Sequence, residues 1–245
     1  MKKALIIFLM LSALSACKDG TINKETKKDE IAKSAVVKPA HIATEKEWQD
    51  ALLLAYTESN VKDNGDGTSD FTACFYKKDN KCQVFSFGKR DGFRKLRFFH
   101  TIYSELHSIG LVNYVKTYLS LTNGKKPFLI INPVYFDKKN WLFMENLSVM
   151  VESEVVLEKG FIKSIIDRNV ERYGVEESYS FIAEEKEINA LRKITQESNV
   201  IVRITGSKGY VNLEKSNVIQ FKKDIITALY MYDKLNKTLE GHTLP

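Results

Sequence analysis

The start of the chain limits what the rest can build. Lys2 and Lys3 precede an unbroken apolar run from Ala4 to Leu11, Ser12 to Leu14 extend it, and Leu14-Ser15-Ala16-Cys17 follows. A positive start, a short apolar stretch and small residues at its end are the marks of an export signal. The run is well short of the ~20 apolar residues that cross a bilayer as a helix. The segment is therefore set aside from the fold. Of 245 residues, those after Ala16 remain, enough for one large domain or two small ones.

Leu14-Ser15-Ala16-Cys17 has the form of a lipobox, and residues 1–17 resemble the start of a bacterial lipoprotein precursor. Small Ser15 and Ala16 let an extended chain pass close to a protease, and the Cys17 thiol is the nucleophile that lipid transfer needs. The alternative is an ordinary secretory signal with a chance cysteine behind it. The resemblance implies cleavage before Cys17, a diacylglyceryl thioether on its sulfur and a further acyl chain on the new amine. Two or three chains anchor stably, at ~0.8 kcal/mol per buried methylene. In Gram-negative lipoproteins Asp directly after the lipidated Cys commonly marks inner-membrane retention. Lys18 stands there and Asp19 one place later, so the resemblance implies the outer membrane, with the domain facing the periplasm or displayed on the surface.

The expected organisation is a signal peptide over 1–16, the lipidated Cys and a flexible tether over 17–43, and an α+β globular domain over 44–245, in which sublobes 44–124 and 125–245 are an open division. The tether has few large apolar residues and no aromatic, too little to bury for folding.

The formal charge of +6 falls to +4 once Lys2 and Lys3 leave with the signal. That is mild and mixed in sign along the chain. With no arginine-rich stripe, nucleic acid is not an expected partner. Lipidation of Cys17 leaves an even pair, Cys74 and Cys82. Exported proteins meet an oxidising compartment, where a pair is usually bridged. The flanking residues read as strand, turn, strand, which sets the two cysteines opposite each other. Free buried thiols and half a metal site are the competing readings; no CxxC or nearby histidine supports a metal.

Thr44-Glu45-Lys46-Glu47 fits a capping box, and Trp48, Ala51, Leu52, Ala55 and Tyr56 follow at helical spacing. Asp63 to Gly67 breaks that helix. A hairpin over roughly 70–76 and 82–87 comes next. Residues 93–121 fit two periods: Leu96, Phe99, Tyr103 and Leu106 suit a helix, whereas Leu96, Phe98, His100 and Ile102 alternate. The helix is the favoured reading over 95–108, and a second helix runs through Val112, Val115, Tyr118 and Leu119. From Pro127 the pattern turns to strands: 128–131, 141–144, 147–157, 162–172 and 176–182. A helix over 184–196, a hairpin of Val200–Thr205 with Tyr210–Leu213, and a last helix from Asn217 to Leu239 complete the expectation. It amounts to an antiparallel sheet packed with helices and a small N-terminal helix-plus-hairpin lobe.

Candidate chemistry is sparse. Asn64 to Asp70 alternates oxygen ligands as calcium loops do, but lacks the Gly and the bidentate Glu of such a loop. His100 and His107, seven apart, are too far along a helix to chelate one ion. Glu152 and Glu154 share a strand face, yet catalytic carboxylates normally come from separate elements. Gly206-Ser207-Lys208-Gly209 lacks the spacing of a phosphate loop and reads as a hairpin turn. No catalytic residue, metal ligand or cofactor is therefore assigned, and an enzyme is not favoured. Tyr114, Tyr118, Tyr210, Tyr230 and Tyr232 are candidate anchors for a partner. Three functions fit: an envelope lipoprotein whose domain binds a protein or cell-wall partner, a periplasmic hydrolase with a dispersed site, and a phage- or plasmid-type exclusion lipoprotein.

Overall fold

The computed structural model describes residues 42–107 and 112–245, with the backbone alone at 105–107. The signal, Cys17, Lys18, His41 and nearly all of the tether lie outside the described residues. The described residues form one compact unit. Its architecture is α+β, with two antiparallel sheets packed with helices.

The larger sheet has the spatial order β1 (Thr57–Asp63), β2 (Thr68–Lys78), β3 (Lys81–Asp91), β4 (Leu96–Thr101), β5 (Tyr114–Thr122), β6 (Phe128–Asp137), β10 (Gly174–Ser178) and β9 (Asp167–Glu171), and short β11 (Phe181–Ile182) also pairs with β6. The smaller sheet runs β13 (Gly209–Asn212), β12 (Val200–Gly206), β7 (Met144–Val151) and β8 (Glu154–Gly160). The helices are α1 (Glu45–Ala55), α2 (Ile102–His107), α3 (Glu185–Leu191) and α4 (Lys215–Leu239).

α1 starts as its sequence implies. Thr44 Oγ1 accepts from the Glu47 N–H, and Glu47 Oε2 accepts from the Thr44 N–H at 2.7 Å. Trp48, Ala51, Leu52 and Ala55 face inward. α4 buries Phe221, Ile225, Leu229 and Leu235 from the expected stripe, with Val218 and Tyr232 half-buried. Both helices contribute to one core with the inner face of the large sheet, where Tyr56, Phe71, Phe75 and Phe99 cluster with ring centroids 5.1–6.4 Å apart. The inner face of the small sheet (Leu147, Val149, Leu157, Val202 and Ile204) and Ile188, Leu191 and Ile194 extend the same core.

Two expected helices are strands. Residues 96–101 form β4, with only 102–107 helical, and Val115 to Leu121 lie in β5. The inward set is Arg97, Phe99 and Thr101 on β4, then Val115, Thr117, Leu119 and Leu121 on β5. The period was hidden because Phe98, His100 and Tyr118 place aromatic rings on the outward face too. β1 was missed because it is an exposed edge strand without an apolar pattern. The strand expected over 147–157 is broken: Glu152 and Ser153 take positive φ of 47° and 71° and make the turn between β7 and β8. Residues 162–172 give a short 3₁₀ turn at Lys163–Ile165 and then β9. Trp141 to Phe143 are irregular, and α3 ends at Leu191.

Cys74 and Cys82 are joined by a disulfide, with Cα atoms 5.8 Å apart. They are not register partners. The turn is the two residues Asp79 and Asn80, both at positive φ, and Cys82 pairs with Lys77 while Cys74 pairs with Phe85. Two register irregularities between Cys74 and Lys77 bend β2, and the bridge crosses that bend.

Candidate functional site

Three features distinguish the surface and the polar interior: an aromatic sheet face, a strained cleft between the two sheets, and two wholly buried carboxylates, Glu177 and Asp224.

The outward face of the large sheet carries a row set by register. Phe87 pairs with His100, His100 with Tyr118, Tyr118 with Ile130, and Ile130 with Ile182. The next row is Lys89, Phe98, Ser120 and Phe128. His100 stacks on Tyr118 at 4.9 Å, and Phe85 meets Phe87 edge-on at 5.1 Å. Phe87 is 43% exposed, Phe128 45% and Ile182 51%, so large apolar side chains meet solvent on β3, β6 and β11, on either side of the half-buried rings of β4 and β5. A hollow of about 370 Å³ opens there between Asp70, Phe87, Lys89 and His100. Burial and the nearby Lys116 charge push the His100 pKa down to about 4, so the ring is neutral. His100 is thus on a sheet, not on a helix in line with His107, whose side chain lies outside the described residues. Of the candidate tyrosines, Tyr118 belongs to this face and Tyr114 is buried; Tyr230 is exposed and stands 6.4 Å from Tyr76, and Tyr232 is half-buried.

The cleft lies between the 137–143 connection and the β12–β13 turn. It measures about 550 Å³, and Asp137, Lys139, Trp141, Phe143, Lys208 and Tyr210 are among the residues that line it. Its floor is held from beneath by Glu177, which is wholly buried on β10. Glu177 Oε1 accepts from the N–H groups of Leu142 and Phe143, each at 2.7 Å, and Oε2 from the N–H of Met144 at 3.0 Å and from Arg168 Nε at 3.2 Å. One carboxylate thereby ties β10 of the large sheet to the start of β7 in the small one. From the other side Ser207 N–H donates to the Phe143 carbonyl and Lys208 N–H to the Leu142 carbonyl. A Cβ at Gly206 would stand 2.3 Å from the Leu142 oxygen, so this approach requires glycine. Clamped in this way, Phe143 sits at φ 54° and the residue is 40% exposed. A bulky side chain at positive φ is a costly arrangement that persists only where its surroundings impose it.

The second buried carboxylate, Asp224 on α4, accepts from Thr101 Oγ1 at 2.5 Å and from the Thr117 N–H at 2.7 Å. It thereby ties the long helix to β4 and β5. Burial is the largest influence on it and pushes its pKa up to about 7. Neither Glu177 nor Asp224 was singled out from sequence. A signal existed: Asp224 interrupts the α4 stripe between Phe221 and Ile225, and Glu177 has the same strand parity as Val175.

The residues weighed for catalysis do not assemble. Glu152 accepts from the Asn199 N–H, and Glu154 pairs with Lys193 at 3.0 Å. In the Asn64–Asp70 loop, Asp66 Oδ1 accepts from Thr68 N and Oγ1, and Asp63 from the Gly65 N–H, so these oxygens serve the turn itself. Among the described residues no three His, Cys, Asp or Glu side chains stand close enough together to hold a metal ion. Comparison with protein-family models, with curated proteins and with solved structures finds no match to this chain.

Proposed function

We propose that the chain is an outer-membrane lipoprotein, anchored through Cys17, whose folded domain binds a protein partner in the envelope. The anchor rests on the lipobox resemblance of residues 1–17. The observation that carries the binding reading is the outward face of the large sheet, where Phe87 and Ile182 stand exposed in register with His100, Tyr118 and Ile130, and Phe128 stands exposed in the row beside them. Contiguous exposed apolar surface on an antiparallel sheet is costly in water and marks interaction sites. Aromatic side chains supply the large, rigid contacts that dominate such interfaces.

The test places a photo-crosslinking amino acid at Ile182 in intact cells, with and without Phe87→Asp. One reproducible adduct, lost in the Phe87→Asp background, is the expected result; an adduct pattern indifferent to that charge refutes the face as the binding surface. Cys17→Ala tests the anchor separately and should abolish acyl labelling and leave an uncleaved or soluble exported protein. Unchanged labelling and fractionation refute the anchor.

A further inference from the structure

We propose that the cleft around Phe143, with the outward face of the small sheet that continues from it, binds an acidic glycan. This site is separate from the aromatic face of the large sheet and does not depend on it.

Four observations converge. The first is shape and lining. Trp141, Phe143 and Tyr210 present aromatic rings in an open cleft of about 550 Å³ whose other walls mix Asp137, Lys139, Asn140 and Lys208 with Leu142 and Val211. Flat rings with a few placed polar groups suit a ligand with one apolar and one hydrogen-bonding side, which is how a sugar ring is built. The second is strain. Glu177 and the β12–β13 turn hold Phe143 at positive φ, yet its ring is not packed away. A residue held against its preference while its ring remains exposed is placed for contact, because burial would not require that backbone.

The third is charge. Among the described residues neither Lys139 nor Lys208 has an acidic partner within ion-pair distance. Arg168 lies over the Phe143 ring at 5.6 Å and Arg203 over the Tyr210 ring at 4.2 Å. The cleft's one carboxylate, Asp137, is turned into its own loop, where it accepts from the N–H groups of Lys139 and Asn140 at 2.7 Å. Lys139 and Lys208 are therefore the cations the cleft offers to an anion, since Arg168 is paired with Glu177, and Asp137 is kept occupied. The fourth is an unmet acceptor. Arg203 leads from Tyr210 into a second hollow of about 290 Å³ that also takes in Asn146, Ser148, Glu158 and Thr205. There Asn146 Oδ1 is buried without a hydrogen-bond partner. A buried acceptor wants a donor, and ligand hydroxyls supply one. Carboxylates, hydroxyls and flat C–H faces on one extended chain are the chemistry of an acidic polysaccharide.

The chain supplies its own reporter. It has two tryptophans; Trp48 is fully buried and Trp141 lines the cleft. A ligand-induced change in tryptophan emission therefore reads Trp141. The experiment titrates the full-length protein in detergent with tetragalacturonate, neutral chitotetraose and a short poly-glutamate peptide. A saturable emission change with tetragalacturonate is expected, with chitotetraose weaker by about tenfold or more, the value of one charge-assisted contact. Lys208→Glu should weaken tetragalacturonate by a similar factor, and Asn146→Leu should weaken it as well. Phe87→Asp should leave it unchanged, so failure here is distinct from failure of the protein-binding reading. Matching thermal melts for wild type and Lys208→Glu show that the variant is folded. No emission change with tetragalacturonate at millimolar concentration overturns the proposal. Equal affinity for chitotetraose overturns the acidic ligand, and equal affinity for poly-glutamate overturns the glycan.

Discussion

Glu177→Gln is the smallest change that tests the junction of the two sheets. It alters neither shape nor volume and replaces one acceptor oxygen by a donor. In the native arrangement one oxygen serves the N–H groups of Leu142 and Phe143, and the other serves the N–H of Met144 and Arg168 Nε. Glutamine must place its NH₂ against one pair or the other. Facing Met144 and Arg168, it orphans one buried backbone donor and pushes away a guanidinium whose side chain is one-third exposed and turns to water. Facing Leu142 and Phe143, it orphans two backbone donors. A buried donor without an acceptor costs about 1–3 kcal/mol, so the variant should lose about 2–4 kcal/mol in its cheaper orientation. Against a typical total of about 5–15 kcal/mol it stays folded. Urea melts followed by circular dichroism should show the midpoint lowered by about 1–2 M at a slope near 2 kcal/mol/M. Trp141, one residue before the released segment, should change its emission before global unfolding. A midpoint shift below about 0.3 M with unchanged emission would show that the carboxylate is incidental and that packing alone holds the junction.

Two further outcomes follow from the packing of α4. Leu229 is 6% exposed in the stripe facing the core, so Leu229→Ala should cost ~2–5 kcal/mol, whereas half-buried Lys223→Ala should cost less than about 1 kcal/mol; equal small losses in denaturant melts would refute the helix's core role. Asp224 has its pKa raised from 3.8 to about 7 in the folded state, so its contribution is intact below pH 4 and is lost as pH rises through 7, amounting to about 4 kcal/mol at 1.36 kcal/mol per unit. The difference in stability between wild type and Asp224→Asn should therefore fall across that window in urea melts, and parallel pH profiles would refute the assignment. His100 works in the opposite sense: its pKa, lowered to about 4, costs stability as pH falls from 6.5, which is why the comparison is made as a difference between two proteins that share His100.

What the sequence disclosed and what it withheld divide along a physical line. The capping box at Thr44, the α4 stripe, the Val200–Gly206 strand and its hairpin are local patterns. Each depends on residues within one or two turns of chain, and each is where the sequence places it. β4 and β5 were misread for a reason that bears on function. A strand with one wet face alternates apolar and polar residues, but Phe98, His100 and Tyr118 put rings on the face that should have been polar. A helical period then fits as well as the alternation does, and it is the one the sequence favours. The outward rings that spoiled the alternation are the same ones that form the candidate interface, so the misreading and the binding surface have one cause. The cleft was invisible for another reason. Trp141, Phe143, Glu177, Gly206 and Tyr210 come from three separate stretches, and their meeting follows from the path of β6 into β7 beneath the β12–β13 turn. Glu177 and Asp224 did leave a trace, each a carboxylate on the apolar side of its element. A charge with burial parity must find donors from other elements, because leaving it unpaired costs more than the fold can spare. Those donors proved to be the N–H groups of 142–144 and of Thr117, with Thr101 and Arg168. The partner of a buried charge is a tertiary fact, while its presence is a local one, so the sequence can name the staple and only the fold can say what it holds.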